Sequence, residues 1–593
     1  MPEIARYLIT TADERTWKFD RPVIFLGEWC RLYNRKHIWE SMDAVVAEPY
    51  GLKAGQYEHD IAYVQSLSSR LLTELVEALN TFHRTRHGLR YWNIVLGHWL
   101  NRYVTITFNR YFTLEQALKN HRISGSAIFE SASYSLATND SNSFIWACND
   151  EVWNNVLCAK ILEFWGDIKI EMDPVPLRGI SCFAQDESNL LTRRRKIRRF
   201  ILSAANFILP KFSRKNDAFI ISSYLPLKEE ILLQLSLGQW PRLWRSPAWE
   251  AAAPAPAKRQ QFRIDAENYQ GYERFVRCQL LEMIPSCYLE GYNQLVQQAN
   301  ILPWPTEPKF IFTSNNFDMD EVFKVWAAAK VEKGVPYITG QHGNNYGTHL
   351  RYGSQYCPER ATADKFITWG WRDANSNTLP GFIFKLAGSK SLRSDSGGGL
   401  LLIGPSSPFK FGLGPEDDYY KFGICQEELF RFVAALPEAI KQRLTVRLHP
   451  ANKYFGWSDE QRWKDRSPHT KIETGAVPLQ HQIAQSRLIL HSYDSTGILE
   501  TLALNIPTMC FWHGGLAHLL PAAKPYYELL REANILADSP EQAAEFITLH
   551  WDNVNEWWES AKVQNARKTF CERYARTEEH PVRTMKRLLT AHI

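Results

Sequence analysis

The sequence has no CxxC pair and no cysteine–histidine cluster at zinc-ligand spacing. Its ten cysteines are scattered through 593 residues, which points to buried free thiols in a reducing compartment rather than a disulfide framework or a zinc module. No uninterrupted apolar run approaches the roughly 18 residues that a membrane-spanning helix needs. The start, Met1 to Asp20, carries no apolar signal core, so a cytoplasmic protein is expected. A strong charge of one sign is missing as well. The net charge of +5 neither demands nor excludes nucleic acid, and local clusters decide instead. The densest is Arg193-Arg-Arg-Lys-Ile-Arg-Arg199, and no recognised nucleic-acid module surrounds it, so no nucleic-acid partner is expected. Its plain reading is solvated helix surface. Its functional reading is contact with anionic lipid headgroups or an anionic saccharide, giving a peripheral contact with the inner membrane. A second basic surface is expected on the tail, between Arg567 and Arg587.

What is present is a large apolar and aromatic stock: 45% hydrophobic residues, 13% aromatic and 21 tryptophans. That marks a folded globular chain, and its length calls for two domains or more. The stretch from Leu444 to Phe511 organises the rest. Leu444-Thr-Val-Arg-Leu448 runs into His449-Pro450. After a polar insert and a helical segment, Arg487-Leu-Ile-Leu490 runs into His491-Ser-Tyr-Asp-Ser-Thr-Gly497. The helix-like segment 498–504 and the short run 507–511 follow. Strands of about five apolar residues alternating with helices predict a parallel sheet, and ligands bind beyond the carboxyl ends of such strands. The fold class expected is therefore α/β, with two Rossmann-like doubly wound domains facing a central cleft and an elaborated helical N-terminal region.

Residues 5–9 and 22–26 read as the first strands, the second ending in Gly27-Glu28-Trp29. Long helical patterns follow from Tyr63 to Leu100. Three later strand–polar-turn units, ending at Ser314-Asn315-Asn316-Phe317-Asp318, at Gly340-Gln341-His342-Gly343-Asn344-Asn345 and at Trp369-Gly370-Trp371, give the first half its own doubly wound sheet. The boundaries expected are an acceptor-side domain over 1–387 and a connector over 388–399, where Ser, Lys, Arg and Gly dominate. A nucleotide-sugar-binding domain follows over 400–550, and helices over 551–593 pack back on the first domain.

Transfer from a nucleotide sugar needs donors on the departing phosphate, a cradle for base and ribose, and a base for the acceptor hydroxyl. His449 at a strand end suits the first task; Pro450 disfavours helix at the preceding residue and holds it extended. Ser492, Ser495, Thr496 and the Gly497 amide open a helix and add donors at its positive end. Glu500 is placed to reach ribose hydroxyls. The alternatives are plain helix capping for Ser495 and Thr496 and favourable charge placement for Glu500. Asp318-Met319-Asp320 is a literal DxD, but at a helix start it reads as dipole-favoured acid. Glu416-Asp417-Asp418 reads as surface.

Arg447-Leu-His449-Pro450 with the downstream Ser495-Thr496-Gly497 and Glu500 resembles the HP and serine motifs of GT-B glycosyltransferases that use CMP-activated acidic sugars, namely bacterial sialyltransferases and Kdo transferases. Gln341-His342-Gly343 is similar to the QHG segment of capsule Kdo transferases and CDP-glycerol transferases. Over nearly its whole length, from Tyr7-Leu-Ile through Glu28 to Glu500, the chain looks like a family of transferases encoded in O-antigen and capsule loci. The resemblance implies transfer of Kdo or a nonulosonic acid (pseudaminic, legionaminic or sialic) from a CMP donor to a surface glycan, glycolipid or glycoprotein. With a single phosphate on the leaving group, no metal and no cofactor are expected. Donor binding is assigned to Gln341, Gly343, Asn344, His449, Pro450, Ser492, Ser495, Thr496, Gly497 and Glu500. His342, Asn344 and Asn345 are candidates for the sugar carboxylate, and the catalytic candidates are Glu28, Asp318 and His342, with Glu229 and Glu230 next. The paired-acid signature of the sialyltransferase base is absent. Two other readings stay open: a CDP-glycerol-type phosphotransferase and a non-catalytic saccharide-binding protein.

Overall fold

The computed structural model describes residues 4–591, apart from 54, 131–133, 167–170, 176–213, 248, 250–253, 352–356, 390–391, 406–409, 412–417, 451 and 453–455. The basic run 193–199 and the acidic pair Glu416-Asp417 lie outside the described residues, so nothing in the structure bears on either.

Among the described residues fifteen strands form three five-stranded sheets, and every pairing in them is parallel. The first holds β1 (Arg6–Ile9), β2 (Val23–Phe25), β3 (Ala44–Val46), β4 (Ile123–Phe129) and β5 (Glu171–Val175), in the order β3-β2-β1-β4-β5. The second holds β6 (Phe219–Ile221), β7 (Ile311–Thr313), β8 (Tyr337–Gly340), β9 (Lys365–Thr368) and β10 (Thr378–Pro380), each beside its neighbour in sequence. The third holds β11 (Gly399–Ile403), β12 (Leu444–Arg447), β13 (Lys471–Glu473), β14 (Ser486–His491) and β15 (Thr508–Cys510), in the order β13-β12-β11-β14-β15.

The α/β class and the helix-rich N-terminal region stand. The first half, however, carries two sheets where the sequence reading gave it one, and the second of them, whose strands β8 and β9 lead into Gln341 and Trp369, is not doubly wound. Its strand order never reverses, so it has no switch point of its own. The short apolar runs of residues 5–26 and 219–368 look alike in sequence; only their pairing separates them.

Both faces of these sheets are covered, as parallel sheets require. Along β6, Phe219 and Ile221 point into the large N-terminal core, while Ala218 and Ile220 join Phe312, Ile338 and Ile367 under the C-terminal helix Pro581–Thr590 through Met585 and Leu589. In the third sheet Leu400, Leu402, Val446 and Leu490 face one cluster, and Leu401, Ile403 and Ile489 face the other. The helices Gln56–His83 and Leu89–Asn120 pack on each other in that N-terminal core. Leu67, Leu71, Leu75 and Leu79, four apart, form one fully buried stripe, each worth about 1.5–3 kcal/mol. The nine described cysteines are unpaired thiols. Among the described residues no helix is long and apolar enough to cross a membrane.

Polar contacts join the units built on the three sheets. Asn149 Oδ1, from the first-sheet unit, accepts from the Lys410 N–H at 2.7 Å, and Glu151 pairs with the Lys410 ammonium. Arg110 donates to the Phe411 carbonyl at 2.7 Å. The second and third sheets meet where Lys385 pairs with Glu500 at 3.1 Å.

Candidate functional site

The strand order of the third sheet reverses between β11 and β14, which leaves a crevice beyond their carboxyl ends, the usual ligand position in such sheets. Ile403 is in register with both Arg447 and His491, so residues 404–405, 448–449 and 492 leave the sheet at one level. Just beyond, the helix Thr496–Ala503 begins. The loop that follows β8 lies against this helix start. The Asn344 N–H donates to Thr496 Oγ1 at 2.9 Å, and Asn344 Nδ2 donates to Asp494 Oδ1 at 2.7 Å. Gly343 sits so close that a Cβ there would lie 3.4 Å from Thr496 Oγ1.

Several residues assigned to donor binding are committed to the protein itself. Gln341 is 1% exposed. Its Oε1 accepts from the Trp369 N–H at 3.0 Å and from Trp371 Nε1 at 2.8 Å, while Nε2 donates to the Gly343 carbonyl at 2.8 Å. Ser492 donates to the Ile403 carbonyl at 2.8 Å and closes the β11–β14 pairing. Ser495 occupies the N-cap position without capping; its hydroxyl meets His491 Nδ1 at 3.3 Å instead. Gly497 is held against the same ring, since a Cβ there would strike His491 Cε1 at 2.8 Å. Burial pushes the His491 pKa down to about 3. Glu500 is taken by Lys385, so its carboxylate bridges the second and third sheets. His449 and Pro450 are exposed at the end of β12, two strands and about 10 Å from β14. Loss of solvent and then the Arg447 charge lower the His449 pKa.

His342 has a different setting. Its ring lies among Tyr224, Phe317 and Tyr346, with centroids 5.5–5.9 Å away, and its Nδ1 is buried without a hydrogen-bond partner. Burial lowers its pKa against the opposing charges of Glu359 and Asp318, which favours the neutral ring. Asn344 Oδ1 and Asn345 Oδ1 are likewise buried and unpartnered, which leaves a polar lining where a ligand can supply the missing partners. Backbone strain gathers at the same place. Ser222 and Tyr224, just past β6, and Asn345 have φ of 47°, 63° and 81°, conformations that cost non-glycine residues about 1–3 kcal/mol each and cluster at functional sites.

The acids fare unequally as bases. Asp318 is near enough to His342 to act on its charge and is bonded to Arg102 at 2.5 Å. Burial pushes its pKa up, but the Arg102 and His98 charges outweigh it and hold the carboxyl well below the usual range, which makes it a weak base. Asp320 caps the helix Glu321–Val331 by accepting from the Phe323 N–H at 3.0 Å, so both DxD carboxylates have structural partners. Glu28 is gripped by Arg31 at 2.5–3.1 Å and lies near Tyr419 of the third-sheet unit. Glu230 accepts from Ser223 at 2.6 Å, and burial raises its pKa. Glu229 is packed against Gly388.

Sequence reasoning passed over Asp494 and its partners. His349 Nε2 and His518 Nε2 stand 2.8 and 3.2 Å from Asp494 Oδ2, and the Tyr527 hydroxyl is 3.2–3.3 Å from the carboxylate. Burial favours the protonated acid, yet the two histidine bonds outweigh it and hold the pKa well below the carboxylate range. The available signal was the polarity of 491–497 itself, in which Asp494 is the only charged carboxylate.

A model of the LIC12162 family transferases matches residues 6–589. The chain belongs to that family. No curated protein matches it. Among solved structures, this LIC12162 family transferase is similar to Anabaena Alr3699/HepE, solved in complex with UDP and glucose. The TM-score is 0.33 and the identity 12%, over 63% of this chain and 98% of that one. It is also similar to the spinosyn rhamnosyltransferase SpnG, complexed with spinosyn aglycone, at a TM-score of 0.26 and 12% identity over 51% of this chain and 80% of that one. Scores this low carry no argument about the donor of this transferase.

Proposed function

We propose that this transferase is a GT-B glycosyltransferase that moves an acidic ulosonic sugar, Kdo or a nonulosonic acid, from a CMP-activated donor to a glycan acceptor. The observation that carries the reading is the clasp of Asn344 on Thr496 and Asp494. It sets a strained, partly unsatisfied polar loop directly beside the crevice at the β11–β14 switch point. The donor nucleotide would lie along residues 404–405, 449 and 492–497, and the sugar would face His342, Asn344 and Asn345. The glycosidic C–O bond breaks with its electron pair leaving on the CMP phosphate, near the positive end of the helix Thr496–Ala503. The acceptor hydroxyl supplies the new bond to the anomeric carbon and gives its proton to His342. Asp318 stays ionised near this ring and supports the imidazolium that forms. The acidic sugar itself rests on the motif resemblance of Arg447-Leu-His449-Pro450 and Gln341-His342-Gly343.

A melting-temperature screen with CMP, CDP, UDP and GDP tests the reading. A ligand at a hundredfold its Kd stabilises the native state by about 2.7 kcal/mol, so CMP should raise the melting temperature measurably. Stabilisation by UDP or GDP with none by the cytidine nucleotides would overturn the CMP assignment.

A further inference from the structure

We propose that His349, Asp494 and His518 form a binding site for one divalent transition-metal ion of the zinc(II), manganese(II) or iron(II) class. The inference does not depend on which sugar nucleotide the enzyme uses. It runs against the expectation from the sequence that no metal takes part.

The geometry is that of a ligand set. The three ligand atoms lie within 4.8 Å of one another, and both imidazole Nε2 atoms converge on the same oxygen, Asp494 Oδ2, at 2.8 and 3.2 Å. An ion with bonds of about 2.0–2.2 Å holds neighbouring ligands about 2.9 Å apart in octahedral and about 3.4 Å apart in tetrahedral geometry, so the ion fits with small side-chain adjustments. The backbone holds the two histidines on facing segments. His349 pairs with Leu519 in an antiparallel bridge, the Leu350 N–H donates to the His518 carbonyl at 3.1 Å, and the Leu520 N–H donates to the Thr348 carbonyl at 2.7 Å. Asp494 arrives from the end of β14. Its other oxygen is fixed by Asn344 Nδ2 at 2.7 Å and by Tyr527, the kind of outer partner that orients a metal-binding carboxylate.

Charge supplies a second argument. Asp494 is buried, and among the described residues no lysine or arginine pairs with it; its partners are two imidazoles, an amide and a phenol. A dication between the three side chains would pair with the Asp494 carboxylate and take both Nε2 atoms as ligands. Two nitrogens and one oxygen suit zinc, manganese or iron, whereas magnesium and calcium prefer oxygen throughout. The histidine side chains keep 19% and 26% of their exposure, which leaves an entry path and coordination positions open to water or to a substrate oxygen. The ion would fasten the 344–350 and 518–520 segments to the end of β14.

The full-length protein, stripped with a chelator and dialysed against zinc(II), manganese(II) or cobalt(II), provides the test. Elemental analysis should find one ion per chain, the melting temperature should rise on reloading, and the cobalt form should show visible absorption from a histidine–carboxylate site. His349→Ala and His518→Ala should each weaken binding by at least the hundredfold that loss of an outer partner can cost, and Tyr527→Phe by about tenfold to a hundredfold. Should the alanine variants misfold, His349→Gln and His518→Gln retain a hydrogen-bond donor toward Asp494 and should still lose the cobalt spectrum. Failure to retain any of the three ions, with no change in melting temperature, would overturn the site. So would an ion retained equally well by both histidine variants.

Discussion

Replacing Gln341 with alanine should unfold the second-sheet unit more easily, not merely slow turnover. Three hydrogen bonds converge on this side chain; the two from Trp369 and Trp371 are buried and the one to Gly343 is half-buried. Gln341→Ala strands the Trp369 N–H, the Trp371 indole N–H and the Gly343 carbonyl. Each orphaned buried group costs about 1–3 kcal/mol. Water entering the space left by the side chain recovers part of that, so a net loss of about 4 kcal/mol is expected. For a unit of 150–250 residues, 1 kcal/mol moves the melting temperature by about 2–4 °C, which puts the shift on the order of 10 °C. Gln341→Glu separates the contributions, because it keeps an acceptor for both tryptophans and loses only the donor to Gly343 while burying a charge. Thermal melts followed by circular dichroism and by tryptophan fluorescence read the outcome directly. A Gln341→Ala protein that melts within about 2 °C of the wild type would refute the reasoning and return Gln341 to the ligand-binding role that the sequence suggested.

His342→Ala and His449→Ala should fail in different ways. The first should cut kcat by about a hundredfold, within the range for loss of a general base, with CMP affinity little changed. The second should weaken CMP binding, and both should melt like the wild type; equal loss of CMP affinity in the two would contradict the division of roles. Asp459, at the start of the helix Asp459–Arg466, accepts from Asn452 at 2.6 Å, and burial pushes its pKa up to about 6 despite that bond and the Arg462 charge. The native state therefore holds the proton more tightly than the unfolded chain, whose ordinary value is about 3.9. The stabilisation is full below pH 4 and is lost as the pH rises through 6, an effect of about 3 kcal/mol. Asp459→Asn should flatten the melting-temperature profile between pH 4 and 7, and an unchanged slope there would count against the assignment.

Much of this architecture was legible because the apolar runs are short, regular and closed by polar residues. Runs such as Leu400–Ile403, 444–448 and 487–490 announce buried parallel strands, and their polar ends mark the edge at which β11 and β14 part. The approach of Asn344 to Thr496 followed from treating both as strand ends. Long-range pairing was not legible. No local signal separates the first sheet from the second, because both use three- to five-residue apolar runs and the choice of partner lies in packing across more than a hundred residues. Gln341 looked like a ligand because it is polar at a strand end, and only the folded chain brings Trp369 and Trp371 to its oxygen. His349, Asp494 and His518 come from three loops, the outermost two 169 residues apart, so no spacing motif could have announced them. The pairing of Glu28 with Arg31, three residues on, is likewise a contact that the sequence reading did not include.

Hydrogen–deuterium exchange of the full-length protein, with and without saturating CMP, tests the central claim most directly. The account predicts slower exchange in residues 341–346, 403–405, 448–452 and 491–500, because the nucleotide would sit at the switch point of the third sheet under the Asn344 clasp. Protection by CMP confined to other segments, with these four unchanged, would contradict the placement of the donor site and with it the proposed mechanism.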